Sequence, residues 1–496
     1  MKAFCLAIDL INPDKPPASL AFLAGVCESQ SIDYVAESFN AAVIKMYDTD
    51  SYNKIYNKVK LNTLHEIPEL IGPVLASMTA KISEFQPDVL LVTMFSYMQY
   101  PIALQLLPEI RKIFSGEIIA GGPGINGSDF NTTGITNGKK LLTAGLIDYY
   151  VLGEGDEILP KFLAGERNLI GLNSKKSLYE SWVPQIDDLD THYILPSYKK
   201  IDFSVYTNVE NKSGPVLSIN TSRGCVRSCS FCDVGKLWKK FRYRSGASVV
   251  DEILKINQDT GVQNFTIVDS LINGSLKTFN DFNERMAKIR AQDPKLRDFS
   301  YNGMFIVRDQ RSHPESFFSN MAAAGCDSLA IGVETGSDRL RFDMNKKFTN
   351  ADLDYHLEMC QKYKIRNNLL MFVGYPTETD ADFEQTLIML ERYQHYLIDD
   401  TIIGMNMSGI FSILPGSPVY DQRHELGIEI TGDPNSDRAQ LNWHNANNPT
   451  LTVKNRILRD LEFRKKAAEL RYPIPYSSRY LQYLKSVDAD FIPMSD

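Results

Sequence analysis

Apolar runs of strand length alternate with longer helical stretches over residues 1–165: "KAFCLAID", "ASLAFLAGVCES", "AAVIKMY", "ELIGPVLASMTAKISEF", "DVLLVTMF", "PIALQLLPEIRKIF", "GEIIAGG" and "IDYYVLG". Strands separated by helices imply right-handed crossovers and a parallel sheet covered on both faces. The pattern predicts a doubly wound α/β domain of about five strands over residues 1–165. Such sheets hold ligands beyond the carboxyl ends of their strands, here Asp9–Pro17, Tyr47–Tyr52, Thr93–Tyr97, Gly121–Asn126 and Gly153–Asp156. Residues 166–212, with "NSKKS", "DDLDTH" and "LPSYKK", are polar and weakly periodic, and read as a surface linker. A second alternating series fills residues 213–425: "GPVLSINTSRGC", "VQNFTIVDS", "DFSYNGMF", "CDSLAIGVETGS", "IRNNLLMFVGYP" and "IGMNMSGIFSILPGS". Six strand-then-helix repeats predict a partial (β/α)6 barrel with its chemistry at the strand carboxyl ends. Residues 426–496 form a C-terminal region whose segment "VKNRILRDLEFRKKAAELRY" predicts a charged amphipathic helix.

Composition narrows the class. At 496 residues the chain exceeds what one core supports, so two or three domains are expected. The net charge of −8 lacks the basic excess that neutralises a nucleic-acid backbone, so no nucleic-acid partner is expected. No apolar run approaches the roughly 20 residues of a membrane span, and the opening "MKAFCLAIDLINPDK" reads as a strand rather than a signal peptide. A cytoplasmic protein with no membrane association is the expectation. Seven cysteines, an odd number with one tight cluster, do not form the paired spacing of a disulfide framework. There is no G-x-S-x-G elbow, Walker loop or H-E-x-x-H, which leaves hydrolases and phosphoryl transferases without a motif.

The cluster is "TSRGCVRSCSFCDVGK", which brings Cys225, Cys229 and Cys232 into eight residues directly after the first strand of the second series. Structural zinc takes four ligands in two separated pairs, and no fourth completes this set, since the other thiols are Cys5, Cys27, Cys326 and Cys360. Three thiolates in one short loop suit a 4Fe-4S cubane with one iron left open.

The spacing C-x3-C-x2-C, with an aromatic before the last Cys and directly after a strand, resembles the signature of the radical S-adenosylmethionine superfamily. The resemblance implies that the open iron holds S-adenosylmethionine, and that the reduced cluster cleaves its C–S bond. The deoxyadenosyl radical so formed abstracts hydrogen from a substrate. It further implies that Phe231 lies toward the adenine, and that Asp269 in "TIVDS" and Glu334 and Gly336 in "IGVETGSD" face S-adenosylmethionine. An acidic residue after a strand is otherwise often a helix cap. "VGYPTET" and "LPGSPVY" match the fifth and sixth strand ends of the subgroup that includes methylthiotransferases and cobalamin-dependent enzymes. Arg242 and Arg244 read as a solvated charged face.

Residues 1–165 resemble the cobalamin-binding domain that precedes the radical domain in one large subgroup, through "EIIAGGPGING" and "IDYYVLGEGDEILPKFL". That resemblance implies cobalamin contacts at Gly121, Gly122, Gly153 and Glu154, since a Gly-rich loop lets backbone approach a flat or anionic ligand. D-x-H-x-x-G is missing and no histidine precedes His65, so the cobalt is expected to lack a protein imidazole. A methylthiotransferase fits less well, because only Cys5 and Cys27 are available for a second cluster. The leading expectation is methyl transfer to a small-molecule or peptide substrate, with a flavodoxin or ferredoxin as electron donor. The alternatives are a cobalamin-independent oxidation, cyclisation or rearrangement, and a non-enzymatic cluster or corrinoid carrier. Cys5, Cys326 and Cys360 read as buried small hydrophobes, and His444 as an exposed loop residue.

Overall fold

The computed structural model describes residues 1–10, 14–126, 135–206, 214–431 and 439–474. Ile11–Pro13 of the first rim loop, Gly127, 207–212 of the linker, and 432–438 and 475–496 of the C-terminal region lie outside the described residues. Two compact units divide the chain: Met1–Ile219 with Asp251–Phe265, and Asn220–Val250 with Thr266–Asp496.

The first unit holds the strands β1 (Lys2–Ala7), β2 (Asp33–Ser38), β3 (Val89–Thr93), β4 (Glu117–Gly121), β5 (Tyr149–Val151) and β6 (Leu172–Ser174). They form one sheet in the order β2-β1-β3-β4-β5-β6. Its first five strands are parallel, and β6 returns antiparallel to β5. The doubly wound sheet is therefore present, and the segment read as linker contributes its edge. β1 and β3 are almost continuously apolar because helices cover both faces; Phe4, Leu6, Leu90, Val92, Ile118 and Ala120 join one core with Val74, Met78, Ile102 and Leu106. Each such side chain contributes about 1.5–3 kcal/mol through burial.

One expected strand is displaced. "AAVIKMY" lies in the helix Phe39–Met46, and the strand is the preceding "DYVAES", which alternates in burial with period two. Ser38 ends that strand and caps the helix, its side chain accepting from Ala41 N. Of Tyr47–Tyr52, only Tyr47 and Asp48 link that helix to the next, Thr49–Lys60, which takes in the remainder, so the segment is not a strand-end loop.

The remaining strands are β7 (Val216–Ile219), β8 (Ser222–Arg223), β9 (Arg242–Tyr243), β10 (Asn264–Ile267), β11 (Ser300–Phe305), β12 (Cys326–Glu334), β13 (Arg366–Val373), β14 (Ile402–Ile410), β15 (Ile428–Ile430) and β16 (Trp443–Asn445). A second six-stranded sheet runs in chain order, β7-β10-β11-β12-β13-β14, as six strand–helix repeats require. On β11 the odd positions Tyr301 and Phe305 are buried against aromatics of the helices Leu276–Gln292 and Glu315–Ala324, and the even positions are half-exposed. The sheet thus has one helix-covered face and one open face.

The helix Val453–Glu469 turns three arginines and Asp460 inward and leaves Lys454, Glu462, Lys465 and Glu469 exposed. Arg456 donates to the carbonyls of Leu441 and Trp443 at 3.1 and 2.8 Å and lies over the Trp443 ring; Arg459 pairs with Glu378 at 2.7 Å; Arg464 donates to Asp460 and to the Met407 carbonyl. Just beyond it, the Pro473 carbonyl accepts from Met405 N of β14 at 3.0 Å.

His313 and His356 are each 1 % exposed and are packed with Phe305, Phe317 and Phe318. Burial lowers the His313 pKa to about 3 and the His356 pKa to about 4. The folded state therefore refuses protons that an unfolded histidine takes up near pH 6.5. Their contribution to stability is full above pH 6.5 and is lost as pH falls from there toward those folded values. We expect the denaturant midpoint to drop between pH 6.5 and 4.5, and His356→Gln to reduce the slope by about one proton, roughly 1.4 kcal/mol per pH unit. An unchanged slope would reject this source of acid sensitivity.

Candidate functional site

The loop carrying Cys225, Cys229 and Cys232 leaves the carboxyl end of β7, and its conformation is fixed by groups other than its thiols. At its root, Asp269 at the end of β10 accepts from Asn220 Nδ2 at 2.8 Å, Thr221 N at 2.9 Å and Ser222 Oγ at 2.7 Å, and also from Thr221 Oγ1. Burial raises the Asp269 pKa to about 6 in spite of these donors. Further along, Asn345 Nδ2 donates to the Ser228 carbonyl at 2.8 Å, Ser230 N donates to the Met344 carbonyl, and Val419 N donates to the Ser230 carbonyl. The Ser230 and Tyr375 hydroxyls are 2.7 Å apart.

All three thiols are free and half-buried. Burial pushes each of them up, and the Lys346 ammonium opposes it at all three. Lys346 is itself paired with Glu334 Oε1 at 3.0 Å, with both side chains about one-tenth exposed. Glu334 takes up a left-handed backbone, φ 66°, which favours glycine, where the β12–β13 register slips. The pair stands directly over Gly332, whose Cβ would lie 2.4 Å from Glu334 Oε1 and 2.7 Å from Lys346 Nζ.

Among the described residues no three His, Cys, Asp or Glu side chains close on a single metal ion. Donor chemistry is the better test: three soft thiols with cationic side chains about them, and no imidazole or carboxylate among the donors, fit an iron–sulfur cluster.

The other expected residues are placed as follows. Phe231 packs edge-on against Phe372 at 5.3 Å, with Lys346 Nζ 5.8 Å from its ring. Gly336 is held by packing: a Cβ there would fall 2.4 Å from the Gln385 carbonyl oxygen, and its N–H donates to Thr386 Oγ1. Neither Asp269 nor Glu334 caps a helix; Ser275 and Ser337 do so. Arg242 and Arg244 are buried rather than solvated, because Arg244 donates to the Asn220 and Ser248 carbonyls that shape the loop's root. Cys5, Cys326 and Cys360 are buried, and His444 is exposed beside Glu429.

Sequence reading missed Lys346, Arg308 and Arg227. "NKKF" looks like a surface turn, and only the carboxylate at Glu334 draws Lys346 inward. Arg308 lies three residues past the end of β11 and has the parity of its half-exposed face, a signal that period-two counting could have supplied. Burial, then the neighbouring Arg227, holds its pKa below the usual arginine value, and Cys225 is among the groups it feels.

In the first unit, Gly121 and Gly122 end β4, and Gly153 and Glu154 follow β5. A Cβ on Gly121 would meet nothing within 4 Å, whereas on Gly122, at φ 95°, it would lie 2.4 Å from the Met94 carbonyl oxygen. Gly153 is close-packed on Val183, and Glu154 Oε2 accepts from Ile186 N at 2.8 Å. Around the opening at Gly121 the strand-end loops show an exposed Phe95, and the buried Gln99 Nε2 and Asn126 Oδ1 have no partner among the described residues. An open glycine edge, an exposed ring and unspent amide groups fit a flat ligand that carries amides.

Residues 219–390 match the model of the Radical SAM superfamily. The anaerobic magnesium-protoporphyrin IX monomethyl ester cyclase of Cereibacter sphaeroides is 25% identical over 337 residues, 64% of this chain and 51% of that protein. A tRNA-2-methylthio-N(6)-dimethylallyladenosine synthase of Stutzerimonas stutzeri is 27% identical over 256 residues, 50% of this chain and 52% of that protein. The chain spans about half the length of these curated relatives. The structure of the methyltransferase TsrM from Kitasatospora setae, with tryptophan and an S-adenosylmethionine analogue bound, superposes with a TM-score of 0.61 at 16% identity, over 87% of this chain and 79% of that one. That of OxsB with aqua-cobalamin bound gives 0.65 at 15% identity, over 98% and 70%. No helix among the described residues is long and apolar enough to cross a membrane. Residues 219–390 thus resemble the Radical SAM superfamily, and over most of its length the chain shares the fold of the TsrM and OxsB structures.

Proposed function

We propose that this protein is a cobalamin-dependent radical S-adenosylmethionine enzyme that transfers a methyl group to a carbon of its substrate. The observation that carries the reading is the loop of three free thiols, pinned at a strand carboxyl end with Lys346 acting on all three. When bound, the 4Fe-4S cluster and S-adenosylmethionine supply a radical able to take hydrogen from an unactivated carbon, and cobalamin supplies the methyl group.

The chain's own residues orient and protect. Cys225, Cys229 and Cys232 would hold the cluster. Asp269 fixes the loop's root by taking its donors, the Glu334–Lys346 pair keeps a positive charge beside the thiols, and Phe231 with Phe372 forms an apolar wall. In the first unit, the open edge at Gly121 would receive the corrinoid, with no histidine in the surrounding strand-end loops to ligate the cobalt. The reading includes a flavodoxin- or ferredoxin-type donor and a cytoplasmic setting, in keeping with seven free thiols.

A second reading, radical chemistry without cobalamin, draws on a specific observation: packing accounts for Gly122, Gly153 and Glu154 without any ligand. One experiment separates the two. Cluster-reconstituted protein is incubated anaerobically with dithionite and S-adenosylmethionine, with and without cobalamin, and 5'-deoxyadenosine and bound corrinoid are followed together. Cleavage with one corrinoid per chain supports methyl transfer; cleavage with none retained sustains only the second reading. Gly121→Val is expected to lower corrinoid retention about tenfold with cluster absorbance intact, a loss of one good contact's worth of binding. Gly122→Val is a poor substitute, because its left-handed backbone and the Met94 carbonyl would distort the loop first.

A further inference from the structure

The open face of the second sheet has a chemistry of its own. Register places side chains in rows across it: Asn302 beside Ser328; Met304, Ala330, Asn368 and Gly404 one step up; then Gly332, Leu370 and Asn406. Ala330 and Gly404 keep the strands low here, with Asn368 Oδ1 3.3 Å from where a Gly404 Cβ would lie, whereas the space over Gly332 is taken by the Glu334–Lys346 pair. Against this low surface stand three carboxamides, Asn302, Asn368 and Asn406, and none of them bonds to another described residue. Asn368 Oδ1 is buried without a partner, although buried carbonyl oxygens are nearly always satisfied.

At the carboxyl end of the same face, toward the cysteine loop, two guanidiniums lack a carboxylate. Arg308 is anchored by Nη2 to the Asn273 and Gly274 carbonyls at 3.3 and 3.5 Å, while its Nε is buried without a partner. Arg227 Nε is in the same condition. Asp309, beside Arg308 in sequence, makes no ion pair with it, and Glu334 at the end of β12 is already spent on Lys346. The buried Asn368 Oδ1 and the buried Nε groups of Arg308 and Arg227 are costly to leave open unless a ligand completes them, while Asn302 and Asn406 remain available from the solvent side.

Building on the radical-enzyme reading above, we propose that this face binds the substrate and selects a small polar molecule with an anionic end: Asn302, Asn368 and Asn406 hydrogen-bond its body, and Arg308 with Arg227 pairs with its carboxylate or phosphate. A flat apolar macrocycle would leave those carboxamides buried and unpaired, and that penalty disfavours it. Guanidinium geometry also explains the choice of arginine, since its fork matches carboxylate and phosphate oxygens two at a time.

The test uses the full-length, cluster-reconstituted protein and two fragment probes, N-acetylglycine and its neutral amide N-acetylglycinamide, with binding read by thermal shift. S-Adenosylmethionine affinity is measured by equilibrium dialysis, and 5'-deoxyadenosine formation is assayed in parallel. Wild type is expected to prefer the anionic probe by about 10-fold or more, the scale of one charge-assisted hydrogen bond. Arg308→Gln should erase that preference and Arg308→Lys keep part of it, with S-adenosylmethionine affinity within about threefold of wild type in both. Asn368→Leu should weaken both probes alike. Equal binding of the two probes by wild type, or a preference that survives in Arg308→Gln, overturns the proposal. So does a tenfold loss of S-adenosylmethionine affinity in Arg308→Gln, which would give the guanidinium to the cofactor's own carboxylate. Absence of 5'-deoxyadenosine from wild type with the anion preference intact would instead sink the radical reading and leave the binding face standing.

Discussion

Cys229→Ala should yield a folded protein that holds little or no cluster and forms 5'-deoxyadenosine at least about 100-fold more slowly, a larger loss than removing a supporting partner of a metal ligand usually brings. The fold is expected to survive because the loop does not depend on its thiols for shape. Asn345 holds Ser228, the Met344 carbonyl and Val419 N hold the backbone of Ser230, and Asp269 holds residues 220–222. Cys27→Ala is the control, since that thiol is buried in the first unit 3.7 Å from Cys5. Iron per chain and visible absorbance report the cluster, circular dichroism the fold, and chromatography the cleavage product. Wild-type cleavage by Cys229→Ala would end the cluster assignment; loss of cluster in Cys27→Ala would show that iron content follows general stability.

Lys346→Met should cost about 3 kcal/mol of stability, because it strands the Glu334 carboxylate in a nearly closed site, and a buried charge without its partner is worse than no pair. The double variant Glu334→Gln/Lys346→Met should recover most of that loss. Cluster content is expected to behave differently. Burial works against all three thiolates and Lys346 works for them, so iron per chain after reconstitution should fall several-fold in the single and the double variant alike. Denaturant midpoints and iron content, measured on the same preparations, separate the two roles. Full recovery of iron in the double variant would mean that Lys346 acts on the cluster only through folding.

Much of this was legible before any coordinates. The three cysteines and the two alternating series are local signals, and each strand of the second sheet falls in a run that the apolar pattern marks out, β14 starting one residue before its run. What escaped depends on contacts distant in sequence. "AAVIKMY" has strand-like composition, but Ser38 supplies a cap and starts a helix there. Arg244 looks like a surface charge in "KKFRYRS", and only the folded loop provides the carbonyls that draw it inside. Lys346 is twelve residues from Glu334, and nothing in either neighbourhood announces the pair. Gly336 was legible as special but for another reason: the close approach of Gln385 requires it to lack a side chain, whatever ligand lies nearby.

The inward-facing arginines of the helix Val453–Glu469 have a consequence for how the second unit opens. Their guanidiniums are spent on main-chain oxygens of Leu441, Trp443 and Met407, and Pro473 takes the amide proton side of Met405. The far edge of the sheet at β14 is thereby stitched to a segment more than forty residues later. In hydrogen exchange, the Met405 amide and those of this helix should open together, as one cooperative piece with the strand and not as a fraying tail. A protease that nicks the chain in the polar stretch before Val453 would then leave the fragment docked until β14 itself lets go.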